Sequence, residues 1–221
     1  MFVGFALERK TVDEIGHVTE SRCSNRFSQF QKSGADYITA IHTDELTVVL
    51  LEERQLYFRP DLEARADIAV VTSLSGHFCI RELEAISPLP TLNALPALDR
   101  HFERQGIGRV GLLGTRTVMQ SKLYGGIASA EVVFPQGNDL DMVHDTYIAM
   151  ATAVSATEQQ RELLVSIGEK LCREQGADAV ALAGTDLFLA FDGVDCGYRV
   201  VDCARVHIDD IVAHAIGREP R

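Results

Sequence analysis

Three short clusters of small polar residues each follow an apolar run: Thr72-Ser73-Leu74-Ser75-Gly76-His77, Gly114-Thr115-Arg116-Thr117 and Gly184-Thr185-Asp186. At the end of a strand, hydroxyls and the unpaired N–H groups of a following helix put hydrogen-bond donors where the helix dipole is positive, so such clusters suit an anion. A small carboxylate is the natural guest, with Ser75, Thr115, Thr117, Thr185, the backbone of Gly184 and the cation of Arg116 as the binding set. The groups able to move a proton there are few. Ser73 could be activated by His77, although no acidic third member is identifiable, and a histidine that caps or packs the start of a helix is the competing reading. Asp186 could act as a carboxylate base, or could cap a helix beginning at Leu187.

The chain also repeats itself. Ala66-Asp67-Ile68-Ala69-Val70-Val71-Thr72-Ser73 returns as Ala177-Asp178-Ala179-Val180-Ala181-Leu182-Ala183-Gly184, each an apolar strand running into small polar residues. The repeat implies two related halves whose strand ends, tipped by Ser73 and Gly184, face one cleft and offer one group to each side of a substrate carbon. Among the cysteines, Cys79 lies two residues past His77, an offset that points away from the shared helix face. Cys203 follows Asp202 at an expected strand end and reads either as a thiol near the cleft or as a buried, inert one. His207 is an orienting group or a core residue.

The elements that must carry these clusters alternate. Val3 to Leu7 reads as a strand and Thr11 to Ser33 as a helix stopped by Gly34. Tyr37 to Ile41 is a further apolar run, while Leu46 to Phe58 is undecided between strand and helix. Ile68 to Thr72, Val110 to Leu113 and Val180 to Ala183 are apolar throughout, as strands buried on both faces of a parallel sheet are. Pro88, Pro90 and Pro96 interrupt the pattern ahead of a helix near Leu98 to Gln105, which places a lobe boundary near residue 100. Helices are further expected in the segment that follows Gly114-Thr115-Arg116-Thr117 up to Tyr124, at Met142 to Ala151, after a capping box of Ser155 and Glu158, and at Val206 to Ile216; short strands fall at Val132 to Phe134 and Tyr198 to Val201. The expectation is an α/β fold of two pseudo-symmetric lobes, each a parallel sheet flanked by helices, with residues 1–99 plus 203–221 in one lobe and 100–202 in the other.

Composition narrows the function. Hydrophobic residues make up 46% and charged residues 24% of the chain, ordinary for a soluble globular protein. No apolar run approaches the roughly 18 residues of a membrane span, and Met1 to Leu7 lead into Glu8-Arg9-Lys10 without the features of a signal peptide. Five cysteines without a C-x-x-C pair read as reduced thiols in a cytoplasmic protein. A net charge of −11 opposes nucleic-acid binding. Scattered histidines, with no H-x-x-x-H or clustered carboxylate pattern, argue against a metal site, and no phosphate-loop or dinucleotide motif is present.

The stretch Val110-Gly111-Leu112-Leu113-Gly114-Thr115-Arg116-Thr117-Val118-Met119-Gln120-Ser121-Lys122-Leu123-Tyr124 resembles, without a gap, the G-L-L-G-T-R-x-T-M-x-x-x-F-Y motif of the aspartate/glutamate racemase superfamily, most closely its aspartate racemase branch. The resemblance continues through Val143-His144-Asp145-Thr146-Tyr147-Ile148, Gly176 to Leu187, and Val201-Asp202-Cys203-Ala204-Arg205-Val206-His207, and covers roughly residues 62 to 216. It implies racemisation of an acidic amino acid without pyridoxal phosphate or any other cofactor, by a homodimer. In such enzymes two cysteines flank the α-carbon, one taking a proton while the other delivers one. The motifs holding them align with Ser73-Leu74-Ser75-Gly76-His77 and with Ala183-Gly184-Thr185-Asp186, so both thiols are absent in this alignment, and the internal repeat gives the same register. The resulting expectation is a cofactor-independent isomerase that moves an α-proton on a small carboxylate with non-standard groups. A catalytically silent carboxylate- or partner-binding homologue and a decarboxylase of malonate-like acids are the alternatives.

Overall fold

The computed structural model describes residues 37–41, 46–52, 55–56, 68–87 and 90–216. The strand expected at Val3 to Leu7 and the helix expected at Thr11 to Ser33 lie outside them. By its contacts the chain divides into two units, Met1–Asn93 and Ala94–Arg221.

In the first unit, β1 (Tyr37–Ile41), β2 (Leu46–Glu52), β3 (Gln55–Leu56), β4 (Ile68–Val70) and β5 (Thr91–Leu92) form one sheet in the order β3-β2-β1-β4-β5. The undecided stretch from Leu46 is thus a strand. This sheet is mixed rather than parallel. β1 runs antiparallel to β2 and to β4, and only β4 and β5 pair in parallel. The short link between β1 and β2 leaves room for a hairpin but not for the crossover that a parallel pair needs. After β4 the chain passes through a 3-10 turn at Ser75–Cys79 into α1 (Ile80–Ile86), where Ile80 and Leu83 are buried.

The second unit opens with α2 (Ala94–Arg104), four residues earlier than the prolines suggested. Pro96 sits inside its first turn, where a backbone N–H would have no helical partner to lose. Gly106 then closes the helix end at φ +64°, a left-handed conformation that suits glycine. β6 (Arg109–Gly114) leads to α3 (Arg116–Gln120), followed by β7 (Glu131–Val133), α4 (Asn138–Ala153), α5 (Glu158–Gln175), β8 (Ala179–Ala183), the short α6 (Phe188–Phe191), β9 (Val200–Asp202) and α7 (Cys203–Ala215). The capping box of α5 is Thr157 with Gln160, not Ser155 with Glu158. Ser155 is committed elsewhere: its N–H donates to the Met150 carbonyl at 3.3 Å, closing α4 behind a left-handed Val154.

These strands form a wholly parallel sheet in the order β7-β6-β8-β9. β6 and β8 are buried along nearly their whole length, which accounts for their unbroken apolar sequence. Helix α5 packs on both central strands, and α7 packs on α2 and β8. The partition therefore falls at 93/94 rather than near 100. Residues 203–216, assigned from sequence to the first lobe, group with the second unit through these contacts and through the Arg100–Asp210 ion pair at 3.0 Å. Among the described residues, no helix is long and apolar enough to cross a membrane.

Candidate functional site

Strand order decides where the second unit can hold a ligand. From β6 the chain moves outward to β7 and then crosses back over β6 to β8, so the direction of winding reverses between β6 and β8. In open parallel sheets, loops leave such a pair toward opposite faces and open a crevice at the carboxyl ends of the two strands. Two of the polar clusters, Gly114-Thr115-Arg116-Thr117 and Gly184-Thr185-Asp186, stand at those ends. The backbones pass close together there: a Cβ on Gly114 would lie 2.9 Å from the carbonyl oxygen of Ala183.

On the β6 side, Thr115 caps α3, its hydroxyl oxygen accepting from the Val118 N–H at 3.4 Å. The Arg116 N–H donates to His144 Nδ1 at 3.2 Å, and the Arg116 guanidinium pairs with Asp141. Thr117 is exposed. Two of the N–H groups at the start of this short helix are thus taken by protein acceptors, and the cation is held by an acid on α4.

On the β8 side, Asp186 is only 4% exposed and lies inside the 3-10 turn Thr185–Leu187. It does not cap the next helix, since α6 begins without a side-chain cap. Its Oδ2 instead accepts from the Thr185 hydroxyl at 3.2 Å and faces the Tyr147 hydroxyl at 3.5 Å. Burial raises the pKa of Asp186 above the ordinary carboxylate value, and the bonds from Thr185 and Tyr147 offset part of that rise. Burial, reinforced by the nearby Asp186 charge, pushes the Tyr147 phenol up to about 12. Gly184 is extended, at φ −150° and ψ 130°, and has no room for a side chain. A Cβ there would meet Tyr147 at 2.6 Å from Cε2, 2.8 Å from Cζ and 3.1 Å from Oη.

Tyr147 is the residue the sequence reading passed over as a functional group. It shares the buried face of α4 with Leu140, Val143 and Met150. Its signal in the sequence was a hydroxyl set into an apolar stripe of helical spacing, a buried polar group that must find a partner.

The remaining candidates are distributed as follows. In the first unit, Ser73 and Ser75 are half-buried and His77 is 1% exposed. His77 Nδ1 donates to the Ser73 carbonyl oxygen at 2.8 Å, the same oxygen that accepts from the Gly76 N–H at 3.0 Å. Cys203 is the first residue of α7, fully buried, and burial raises its thiol pKa far above working pH, with the Asp202 charge adding to the shift. Asp202 caps that helix, accepting from the Ala204 N–H at 2.9 Å and the Arg205 N–H at 3.3 Å. His207, on the first turns of α7, is buried. Among the described residues, no group of three or more His, Cys, Asp or Glu side chains is placed to hold a metal ion.

The Asp/Glu/Hydantoin racemase family model matches residues 27–211. The chain belongs to that family. Solved structures agree with the assignment. A provisionally assigned Asp/Glu racemase from Yersinia pestis superposes with a TM-score of 0.61 at 26% identity, covering 68% of this chain and 67% of that one. An aspartate racemase homologue from Pyrococcus horikoshii gives 0.59 at 22% identity over 68% and 67% of the two chains. The aspartate racemase of Picrophilus torridus gives 0.57 at 17% identity over 71% and 65%. The last two establish a shared fold. The parallel sheet of the second unit is of the kind that the resemblance to this family implied.

Proposed function

We propose that this protein is a racemase-type isomerase that needs no pyridoxal phosphate and moves a proton at the carbon next to the carboxylate of a small acid. The observation that carries the reading is the Thr185–Asp186–Tyr147 cluster: a buried carboxyl of raised pKa beside two hydroxyls, at the carboxyl end of β8 where the winding reverses. A carboxyl whose affinity for its proton lies nearer neutrality is a better acid–base group than an exposed aspartate. In this reading Asp186 handles the proton, and Thr115, Arg116, Thr117, Thr185 and the backbone of Gly184 bind the acid. Ser73, Ser75 and His77 form a second polar strand end in the first unit. Covalent labelling by a serine-directed phosphonate tests Ser73 as a nucleophile. The absence of the two family thiols, at residues 73 and 184, is part of the same proposal, as are a homodimer and a cytoplasmic location.

The test is proton exchange. The protein is incubated in deuterated water with L-aspartate, L-glutamate and an α-substituted malonate, and the acids are examined for α-deuterium and for loss of CO₂. Deuterium in any of them, without CO₂ release, supports the isomerase. Loss of CO₂ from the malonate alone replaces it with a decarboxylase.

A second reading, a carboxylate-binding homologue without turnover, draws on the β6 side. There the N–H groups of Arg116 and Val118 are occupied by His144 and Thr115. This reading predicts that acids raise the melting temperature while none exchanges its α-proton.

A further inference from the structure

Gly184 stands at the tip of the central strand β8 and brings no functional group of its own, yet its α-carbon is not bare. The tip is covered by a residue from another element, Tyr147 on α4, whose ring and hydroxyl fill the volume into which a side chain at 184 would grow. A helix therefore supplies the chemical group that the strand lacks. The hydroxyl is within 3.5 Å of Asp186 Oδ2, and that carboxylate oxygen also accepts from Thr185. The resulting chain of three oxygens runs from the phenol at Gly184 through the Asp186 carboxyl to the Thr185 hydroxyl.

We propose that Tyr147 is the catalytic acid at the β8 tip, with Asp186 as the group that restores its proton. The proposal rests on the isomerase reading above and assigns the reacting group within it. The step balances as follows. A bound acid whose α-proton has passed to a water molecule carries an electron pair on the α-carbon. That pair takes the phenol proton, so the Oη–H bond breaks and a C–H bond forms. The phenolate then takes the proton of the Asp186 carboxyl, and the carboxylate regains a proton from water. Burial favours the protonated form of the Asp186 carboxyl, and the phenolate, the stronger base of the two, draws that proton off. Thr185, bonded to the same oxygen, keeps that carboxyl aimed at the phenol.

The test compares the whole wild-type chain with Tyr147→Phe and Asp186→Asn in the deuterium-exchange assay, on whichever acid of the panel the wild type exchanges. Tyr147→Phe keeps the ring that covers Gly184 and removes only the hydroxyl. The expected result is a fall in kcat of ~100-fold or more with KM nearly unchanged, as loss of a general acid produces. Asp186→Asn is expected to lower kcat as well and to shift its pH profile. Retention of the wild-type rate by Tyr147→Phe, or a rise in KM alone, overturns the proposal and leaves the isomerase standing. Absence of exchange by the wild type with every acid overturns the isomerase itself and the proposal with it. If Tyr147→Phe does not fold, an unchanged kcat and pH profile in Asp186→Asn serve as the contrary result.

Discussion

Tyr147 and Gly184 share one volume: the phenol ring lies where a Cβ at residue 184 would sit, 2.6 Å from that point at its nearest atom. The backbone at Gly184, with φ −150°, would admit any residue, so the requirement for glycine comes from the neighbour and not from the chain. Gly184→Ala is expected to destabilise the protein by ~1–3 kcal/mol, the usual cost of overpacking. In a Tyr147→Ala background the same change is expected to be neutral, or to stabilise by ~0.4–1 kcal/mol through the unfolded chain. Chemical denaturation of the four proteins of this double-mutant cycle measures the coupling, and additive effects would contradict the shared volume. Placing a cysteine at 184 meets the same obstruction and calls for a smaller residue at 147.

The buried Asp186 carboxyl makes stability depend on pH. Its folded pKa is raised, so above the unfolded value of about 4 the unfolded chain gives up this proton more readily than the native one. This group therefore opposes folding increasingly as pH rises from about 4 to its folded pKa, and at a constant level above that. Asp186→Asn removes this contribution. Urea midpoints of the two proteins measured across that range are expected to diverge as pH rises, with the wild type losing ground. Parallel curves would mean that the carboxyl titrates normally.

The Arg116–Asp141 pair is half-exposed, with side chains 42% and 50% accessible, so it contributes little to stability, ~0–1 kcal/mol. Its consequence lies in binding. Asp141→Ala frees the guanidinium for an incoming carboxylate and is expected to tighten acid binding with little change in melting temperature, whereas Arg116→Ala weakens it. Calorimetric titration at two salt concentrations checks both, because a newly formed ion pair with the ligand steepens the salt dependence.

The thiols differ in reach. Cys203 is fully buried with its pKa raised, while Cys79, Cys172 and Cys196 are half-buried. Under native conditions an alkylating reagent is expected to modify Cys79, Cys172 and Cys196 while leaving Cys203 intact until the protein is unfolded, as peptide mass spectrometry would show. Rapid native labelling of Cys203 would restore it as a candidate base.

Much of the fold could be read directly from the residue order. The apolar runs at Val110 and Val180 became the two central strands because a strand buried on both faces needs apolar side chains without interruption, and this requirement is local to the run. Gly176 ends α5 at φ +68°, as a left-handed cap requires. The motif from Val110 to Tyr124 carried the family on consecutive residues. Boundaries were less legible where two signals competed, as at Ser155, which closes one helix instead of opening the next.

The site was legible only as clusters. That Asp186 bonds to Thr185 and faces Tyr147 rather than capping a helix, and that Arg116 pairs with Asp141, depends on how α4 lies over the ends of β6 and β8. These partners stand 25 to 39 positions apart in the chain, apart from the adjacent Thr185. No periodicity or spacing encodes such a distance, because helix–sheet packing sets it by volume and not by sequence neighbourhood. Residue order alone therefore specified an α/β protein of the aspartate/glutamate racemase type with polar strand ends. Packing in three dimensions decided that a tyrosine from a neighbouring helix occupies the place beside Gly184.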